Sequence, residues 1–308
     1  DKEAMRMNVY VCEEMHPAAL EFLQSWATLV DDPALAEGVI TRNFAVDRMF
    51  MEKCPRLRAV GVHGRGLDGV DLSAARRRGI RVVYAPHENV RSVAEHIAAL
   101  LLALARKIPK ADRMARAGTA RTADGALCGT ELFGKTLGLV GAGEIGCEAG
   151  RILQKGFGMK LRVFSAHMTP QRADALGMVF CSSLKELFRT CDAVTVGLPL
   201  TEATQNLIGR QVLNAAKPGL LLINTSRGGV VDEDALYWAL TEGALGGAGC
   251  DVFCKEPPGP ENPLLHLDNF IATPHIAATT DEALRRTGMC VAKGLLDVLQ
   301  EKSTTYEV

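Results

Sequence analysis

The sequence has almost no net charge to offer a polyanion. Its 35 lysines and arginines stand against 36 aspartates and glutamates, a formal balance of −1 at pH 7 over 308 residues. No strong field is left to gather nucleic acid or an anionic membrane, so neither is expected as a partner. Long apolar runs are missing as well. The longest, residues 97–105, has nine residues, whereas a spanning helix needs about 20. The opening Asp1-Lys2-Glu3 has none of the character of an export signal. No Cys-x-x-Cys occurs, and the nine cysteines are odd in number; Cys250 and Cys254 have three residues between them. Neither a disulfide framework nor a metal site is expected, and a reducing cytoplasm suits this cysteine usage. There is no internal repeat and no low-complexity stretch. What remains, 47% hydrophobic and 23% charged residues, is globular composition.

At about 150 residues per domain, the length suggests two domains. Residues 7–12 read as a strand and 16–26 as a helix, with Leu20, Phe22, Leu23 and Trp26 near helical spacing. Strands follow at 39–40, 59–62 and 81–84, the last two separated by a helix over 72–78 that Gly79 closes. An apolar helix spans 92–106 with Pro109 just beyond, and 117–129 is polar and loop-like. A second series carries strands at 136–140, 161–164, 193–197, 220–224 and 247–252, and a helix closes the chain over 281–300. Its strands are nearly continuous apolar runs, as parallel strands covered on both faces must be. Strands alternating with helices give βαβ units. The expected fold is therefore α/β, two doubly wound parallel-sheet domains.

The strand at 136–140 runs into Gly141-Ala142-Gly143-Glu144-Ile145-Gly146. Gly141 permits a tight turn, Gly143 lets the backbone approach a pyrophosphate, and Gly146 lets the next helix pack on the strand. That helix aims its free N–H groups and positive end at the phosphates. The acid expected at the end of the second strand, to bind ribose hydroxyls, is replaced by Ser165. Its loss removes repulsion against a 2′-phosphate, and His167 and Arg172 lie just beyond. The reading leans to NADP, with NAD left open.

Three later segments each place one polar residue after an apolar strand: Arg227 after 220–224, Glu256 after 247–252 and His275 after 270–272. Ligands of open α/β sheets bind beyond the carboxyl ends of strands, where these three can converge. Their types suit reduction of a carbonyl beside a carboxylate. Arg227 offers a bidentate fork, His275 a proton that moves near neutral pH, and Glu256 a hydrogen bond that orients the imidazole. Read singly, each has an ordinary alternative as a surface or turn residue; the order and placement of the three together carry the assignment.

These motifs, with Gly129-Thr130-Glu131-Leu132-Phe133-Gly134-Lys135 before the glycine turn and Leu198-Pro199-Leu200-Thr201-Glu202-Ala203-Thr204 in mid-domain, resemble the D-isomer-specific 2-hydroxyacid dehydrogenase family over roughly residues 57–278. The resemblance implies a flavodoxin-like substrate domain, 1–88 plus 277–308, and a Rossmann cofactor domain, 89–276, with a cleft between them. It also implies a dimerisation arm at about 107–135 and a homodimer. Arg227, Glu256 and His275 match the catalytic residues. The backbones of Glu144 and Ile145 match the pyrophosphate contacts, and Leu198, Pro199 and Thr204 lie along the cofactor. Thr225, Ser226, Asp251 and Ala277 match the nicotinamide rim, with Asp251 bonding the carboxamide. The segment Val62-His63-Gly64-Arg65-Gly66-Leu67-Asp68 resembles the substrate loop. Gly64 to Gly66 can form a nest for a carboxylate, Arg65 is a charged occupant of a position often small in relatives, Asn89 is placed to bond substrate, and Val93 can touch the nicotinamide. His63, His87 and His96 are expected to be local turn or core histidines.

Departures from the family pattern are Ser165 for the acid, no tryptophan in 117–121, and a chain that stops at Val308, without the regulatory C-terminal domain of many phosphoglycerate dehydrogenases. Relatives acting on formate have glutamine where Glu256 stands. The expected activity is hydride transfer between a nicotinamide cofactor and a small 2-ketoacid or D-2-hydroxyacid. Glyoxylate, hydroxypyruvate and 3-phosphohydroxypyruvate stay open as substrates. The alternatives are a dinucleotide-sensing corepressor-like protein and a phosphite dehydrogenase.

Overall fold

A computed structural model of the chain describes residues 6–119 and 125–308. The charged opening 1–3 and residues 120–124 of the expected arm, with part of the tryptophan-free stretch 117–121, lie outside the described residues. The chain divides into two compact units, Asp1–Asn89 with Ala278–Val308, and Val90–Ala277.

The first unit holds five parallel strands: β1 (Met7–Val11), β2 (Ala27–Leu29), β3 (Gly38–Thr41), β4 (Ala59–Val62) and β5 (Arg81–Tyr84), in the order β2-β1-β3-β4-β5. Every residue of β3 and β4 is buried, as parallel strands covered on both faces are. The helix Asp281–Leu299, from the far end of the chain, buries Val291, Leu295, Leu296 and Leu299 in the same core as Val9, Ile40 and Val83. Its N-terminus is capped by Thr280, whose hydroxyl accepts from Ala283 N.

The second unit holds β6 (Thr136–Val140), β7 (Lys160–Phe164), β8 (Met178–Phe180), β9 (Ala193–Val196), β10 (Leu220–Asn224), β11 (Leu245–Cys250) and β12 (Phe270–Ala272), in the order β12-β11-β10-β9-β6-β7-β8, all parallel. The order reverses at β6, between β9 and β7, and a crevice opens at such a switch point beyond the carboxyl ends of the strands. The core is made by Leu222, Val194, Val196, Leu187 and Phe188, among others.

Two short strands escape the sequence reading. β2 and β8 have three residues each at sheet edges, with one buried residue apiece, too few to show a period. Pro109 lies just beyond the apolar helix, as expected, and sits in the first turn of a further helix, Ile108–Arg116. Lys107 at φ 54° breaks the preceding helix, and the missing N–H of proline costs nothing in a first turn.

Candidate active site

The glycine turn leaves β6 at Gly141, whose N–H donates to the Phe164 carbonyl (2.8 Å). Gly141 has φ +91°, and a Cβ there would lie 2.6 Å from the Gly197 carbonyl oxygen at the exit of β9; only glycine takes this path without strain. Gly143 N-caps the helix Glu144–Phe157 and brings no side chain to its first N–H groups. A Cβ at Gly143 would meet nothing within 4 Å, whereas one at Gly146 would lie 3.1 Å from the Gly141 carbonyl. A bare, open helix terminus with close packing behind it fits the pyrophosphate of a dinucleotide. Glu144 is exposed and Ile145 half-buried beside it.

Ser165 is half-buried past β7, and His167 is exposed. Arg172 sits in the first turns of the helix Pro170–Ala175. Burial pushes the Cys147 thiol, on the helix of the glycine turn, up from its ordinary pKa, and Arg172 works against that push. Past β9, the Thr204 hydroxyl donates to the Pro199 carbonyl (2.6 Å) and accepts from Thr201 N (2.8 Å). Thr204 thus ties its own loop, in which Leu198 leans against Gly141.

β10 ends in Asn224, buried to 1% exposure. Its Oδ1 accepts from Ser226 N and Oγ (3.1 and 2.9 Å), and its Nδ2 donates to the Arg227 carbonyl (3.0 Å). This amide folds the turn that carries Thr225, Ser226 and Arg227. The Arg227 guanidinium donates to the Ser226 carbonyl (2.7 Å). A Cβ on the next residue, Gly228, would overlap the carbonyl of Phe253, so the backbones after β10 and β11 run in contact. Phe253 N donates to Glu256 Oε1 (3.0 Å), and Glu256 Oε2 is 2.7 Å from His275 Nδ1. Three adjacent strands thus deliver the three expected catalytic residues: Glu256 and His275 are directly bonded, and the Arg227 loop packs against the Glu256 loop.

His275 adopts φ +55°, a left-handed conformation uncommon for a residue with a Cβ. Asp251 holds it there. The Asp251 carbonyl accepts His275 N (2.8 Å), and its carboxylate, 1% exposed, accepts Thr273 Oγ1 (2.6 Å), Ile276 N (2.8 Å) and Ala277 N (2.8 Å). Expected at a carboxamide, Asp251 has both oxygens engaged with the loop that presents the imidazole. Asn224 and Thr273 are the organising residues the sequence reading missed. The available signal was a polar residue ending an otherwise buried strand and a hydroxyl preceding Pro274-His275.

Gly64, Arg65, Gly66 and Asn89 belong to the first unit. The Gly64 carbonyl accepts Ala85 N (3.0 Å), and Arg65 Nη1 donates to the Pro86 carbonyl at 3.4 Å. The loops after β4 and β5 therefore meet at the carboxyl ends of that sheet, with Gly66 half-buried between them in sequence. Asn89 Oδ1 is buried with no hydrogen-bond partner among the described residues, and so is His63 Nε2. Burial lowers the pKa of His63. A buried amide oxygen left unpaired is costly, and a ligand donor would satisfy it. Among the described residues no cluster of three metal-ligating groups occurs, and no helix is long and apolar enough to cross a membrane.

The family profile of the D-isomer specific 2-hydroxyacid dehydrogenase NAD binding domain matches residues 98–277. The D-3-phosphoglycerate dehydrogenase of Archaeoglobus fulgidus is 36% identical over 305 residues, 95% of this chain and 57% of that protein. The glyoxylate reductase of Korarchaeum cryptofilum is 38% identical over 253 residues, 82% of this chain and 76% of that one. The chain spans about half the length of the phosphoglycerate dehydrogenases it matches. Among solved structures, a Thermus thermophilus protein superposes with a TM-score of 0.89 at 34% identity, covering 98% of this chain and 100% of that one.

Proposed function

The chain belongs to the D-isomer specific 2-hydroxyacid dehydrogenase family, and from that premise we propose that it transfers hydride between a nicotinamide dinucleotide and a small 2-ketoacid or D-2-hydroxyacid. The observation that carries the reading is the 2.7 Å bond between Glu256 and His275 at the exits of adjacent strands. With Nδ1 committed to the carboxylate, Nε2 is the nitrogen left to hand a proton to a ketone oxygen in reduction and to take it back in oxidation. Glu256 fixes the ring orientation. Arg227 grips the substrate carboxylate through its fork. Within the first unit, the backbone at Gly64 to Gly66 and the unpaired Asn89 oxygen are the substrate-binding candidates. When bound, the nicotinamide supplies or accepts the hydride at the substrate C2. The bare turn from Gly141 to Gly146 holds its pyrophosphate.

Ser165 in place of an acid, with His167 and Arg172 just beyond it in the chain, supports a preference for NADP over NAD. A homodimer formed through the arm at 107–135 is supported by the helix Ile108–Arg116, which buries none of its residues within the chain. All nine cysteines are free thiols, which supports a reducing compartment such as the cytoplasm. The test is a panel of glyoxylate, hydroxypyruvate, 3-phosphohydroxypyruvate and further 2-ketoacids with NADH and with NADPH, followed by loss of reduced-nicotinamide absorbance. Turnover with at least one pair is expected. Tight dinucleotide binding without turnover across the panel would replace the enzyme reading with a sensing one.

A further inference from the structure

Inside the apolar helix Val90–Ala105 a single histidine faces the loop that carries His275. His96 lies one turn after buried Ser92 and one turn before buried Leu100. Its Nε2 is 3.1 Å from Thr273 Oγ1 and 3.7 Å from Asp251 Oδ1. Elementary donor counting fixes the direction of these bonds. An ionised carboxylate only accepts, so Thr273 spends its one hydroxyl proton on Asp251 Oδ1 at 2.6 Å. The Thr273 oxygen is then an acceptor only, and His96 must donate to it from Nε2–H. A one-way chain results: His96 to Thr273, Thr273 to Asp251, with Asp251 gathering the amides of Ile276 and Ala277 on the far side of His275. Such chains polarise and strengthen their members, and a carboxylate buried to this depth is tolerable only while its donors stay in place.

We propose that His96 is a positioning residue for His275. Its donated bond keeps the Thr273 hydroxyl directed at Asp251, and Asp251 in turn holds residues 275–277 in the left-handed turn that aims the imidazole. His96 acts through its N–H, not through its bulk. The sequence led to the expectation of a local turn or core histidine; the structure gives it two partners behind the working face. The kinetic part of the test rests on the dehydrogenase reading, and the exchange part does not.

The test compares His96→Leu, which keeps volume and removes the donor, with His96→Gln, whose side-chain N–H reaches about as far as Nε2. In His96→Leu, kcat is expected to fall about tenfold with the 2-ketoacid KM changed less than about twofold, the loss of roughly one hydrogen bond's worth of ordering. Amide hydrogen exchange in the peptide containing Ile276 and Ala277 is expected to quicken about tenfold in the same variant. His96→Gln should return both readouts to within about twofold of the unsubstituted chain. Thr273→Val, which removes the hydroxyl with little change of shape, should reproduce the exchange phenotype and serves as the test if His96→Leu does not fold. Unchanged exchange in the leucine or valine variant, or glutamine behaving like leucine, overturns the proposal. If the unsubstituted chain turns over no 2-ketoacid, the dehydrogenase reading falls and the exchange comparison still decides the role of His96.

Discussion

His275 keeps a left-handed backbone that costs a residue with a Cβ about 1–2 kcal/mol, and the surrounding bonds must over-determine it. The orientation of its ring then depends on one carboxylate oxygen. His275→Gln is expected to lower kcat by about 10² or more, since it removes the proton donor while keeping much of the shape. Steady-state kinetics on the best 2-ketoacid measures this, and an unchanged kcat removes His275 from the mechanism. Arg227→Lys should raise the 2-ketoacid KM by about tenfold or more, because an ammonium cannot reproduce two parallel N–H bonds to a carboxylate. A KM that stays put would place the guanidinium away from the substrate. At this scale the sequence showed residue types and their position after strands, and that was sufficient to place Arg227, Glu256 and His275 at the exits of adjacent strands. It did not show that Asp251 faces inward or that Thr273 and His96 stand behind it. Those contacts join residues 22 to 177 positions apart, and no local period encodes them.

The turn between β6 and its helix gives a sharper test of an element. Gly141→Ala puts a Cβ at φ +91° and 2.6 Å from the Gly197 carbonyl, so either β9 shifts or the turn opens. Dinucleotide Kd, read by fluorescence titration, is expected to rise at least about tenfold, the cost of one misplaced cradle. The turn after β3 makes a separate prediction about stability. Glu13 accepts backbone N–H bonds from Arg42, Asn43 and Phe44 at 2.6, 2.9 and 3.1 Å. Burial works to raise its pKa, and those bonds outweigh it and hold the carboxyl below the ordinary 4.5. A carboxyl whose pKa is lowered by folding stabilises the fold above its unfolded value and loses that contribution as pH falls through the folded one. Glu13→Gln should therefore cost about 1–2 kcal/mol at pH 7, and the gap in urea midpoint should narrow at acid pH as the carboxylate is protonated through its lowered folded pKa. An equal gap at both pH values would mean that the carboxylate charge is not what holds the turn. Elements were legible where burial was complete or nearly so: β4, β6 and β10 stand where the apolar runs predicted, while β2 and β8, three residues each at sheet edges, left no pattern to read.

For the whole molecule, the first surface to account for is the one the chain does not cover. The helix Ile108–Arg116 buries none of its nine residues, Ile108 is 52% exposed, and Phe133, at the far end of the same arm, is 80% exposed. Isolated helices of this length are marginal in water and take most of their stability from a packed apolar face. In the proposed homodimer, a second copy of the arm would supply that face without any other protein, and a two-fold contact of this kind closes on itself. Sedimentation equilibrium is expected to give the mass of two 33.1 kDa chains, and Ile108→Glu together with Phe133→Glu should shift the population to single chains. Charges on both patches cost the dimer their apolar contact on each protomer, about 1.5–3 kcal/mol per fully buried side chain. The monomer gains no unsatisfied core group, because neither residue is buried within it. Its dinucleotide affinity should consequently survive the double substitution, since the glycine turn and the strand exits around it belong to one unit of one chain. A dimer that persists unchanged would move the interface elsewhere on the surface. Loss of cofactor binding together with dissociation would mean that the partner's arm supports the site.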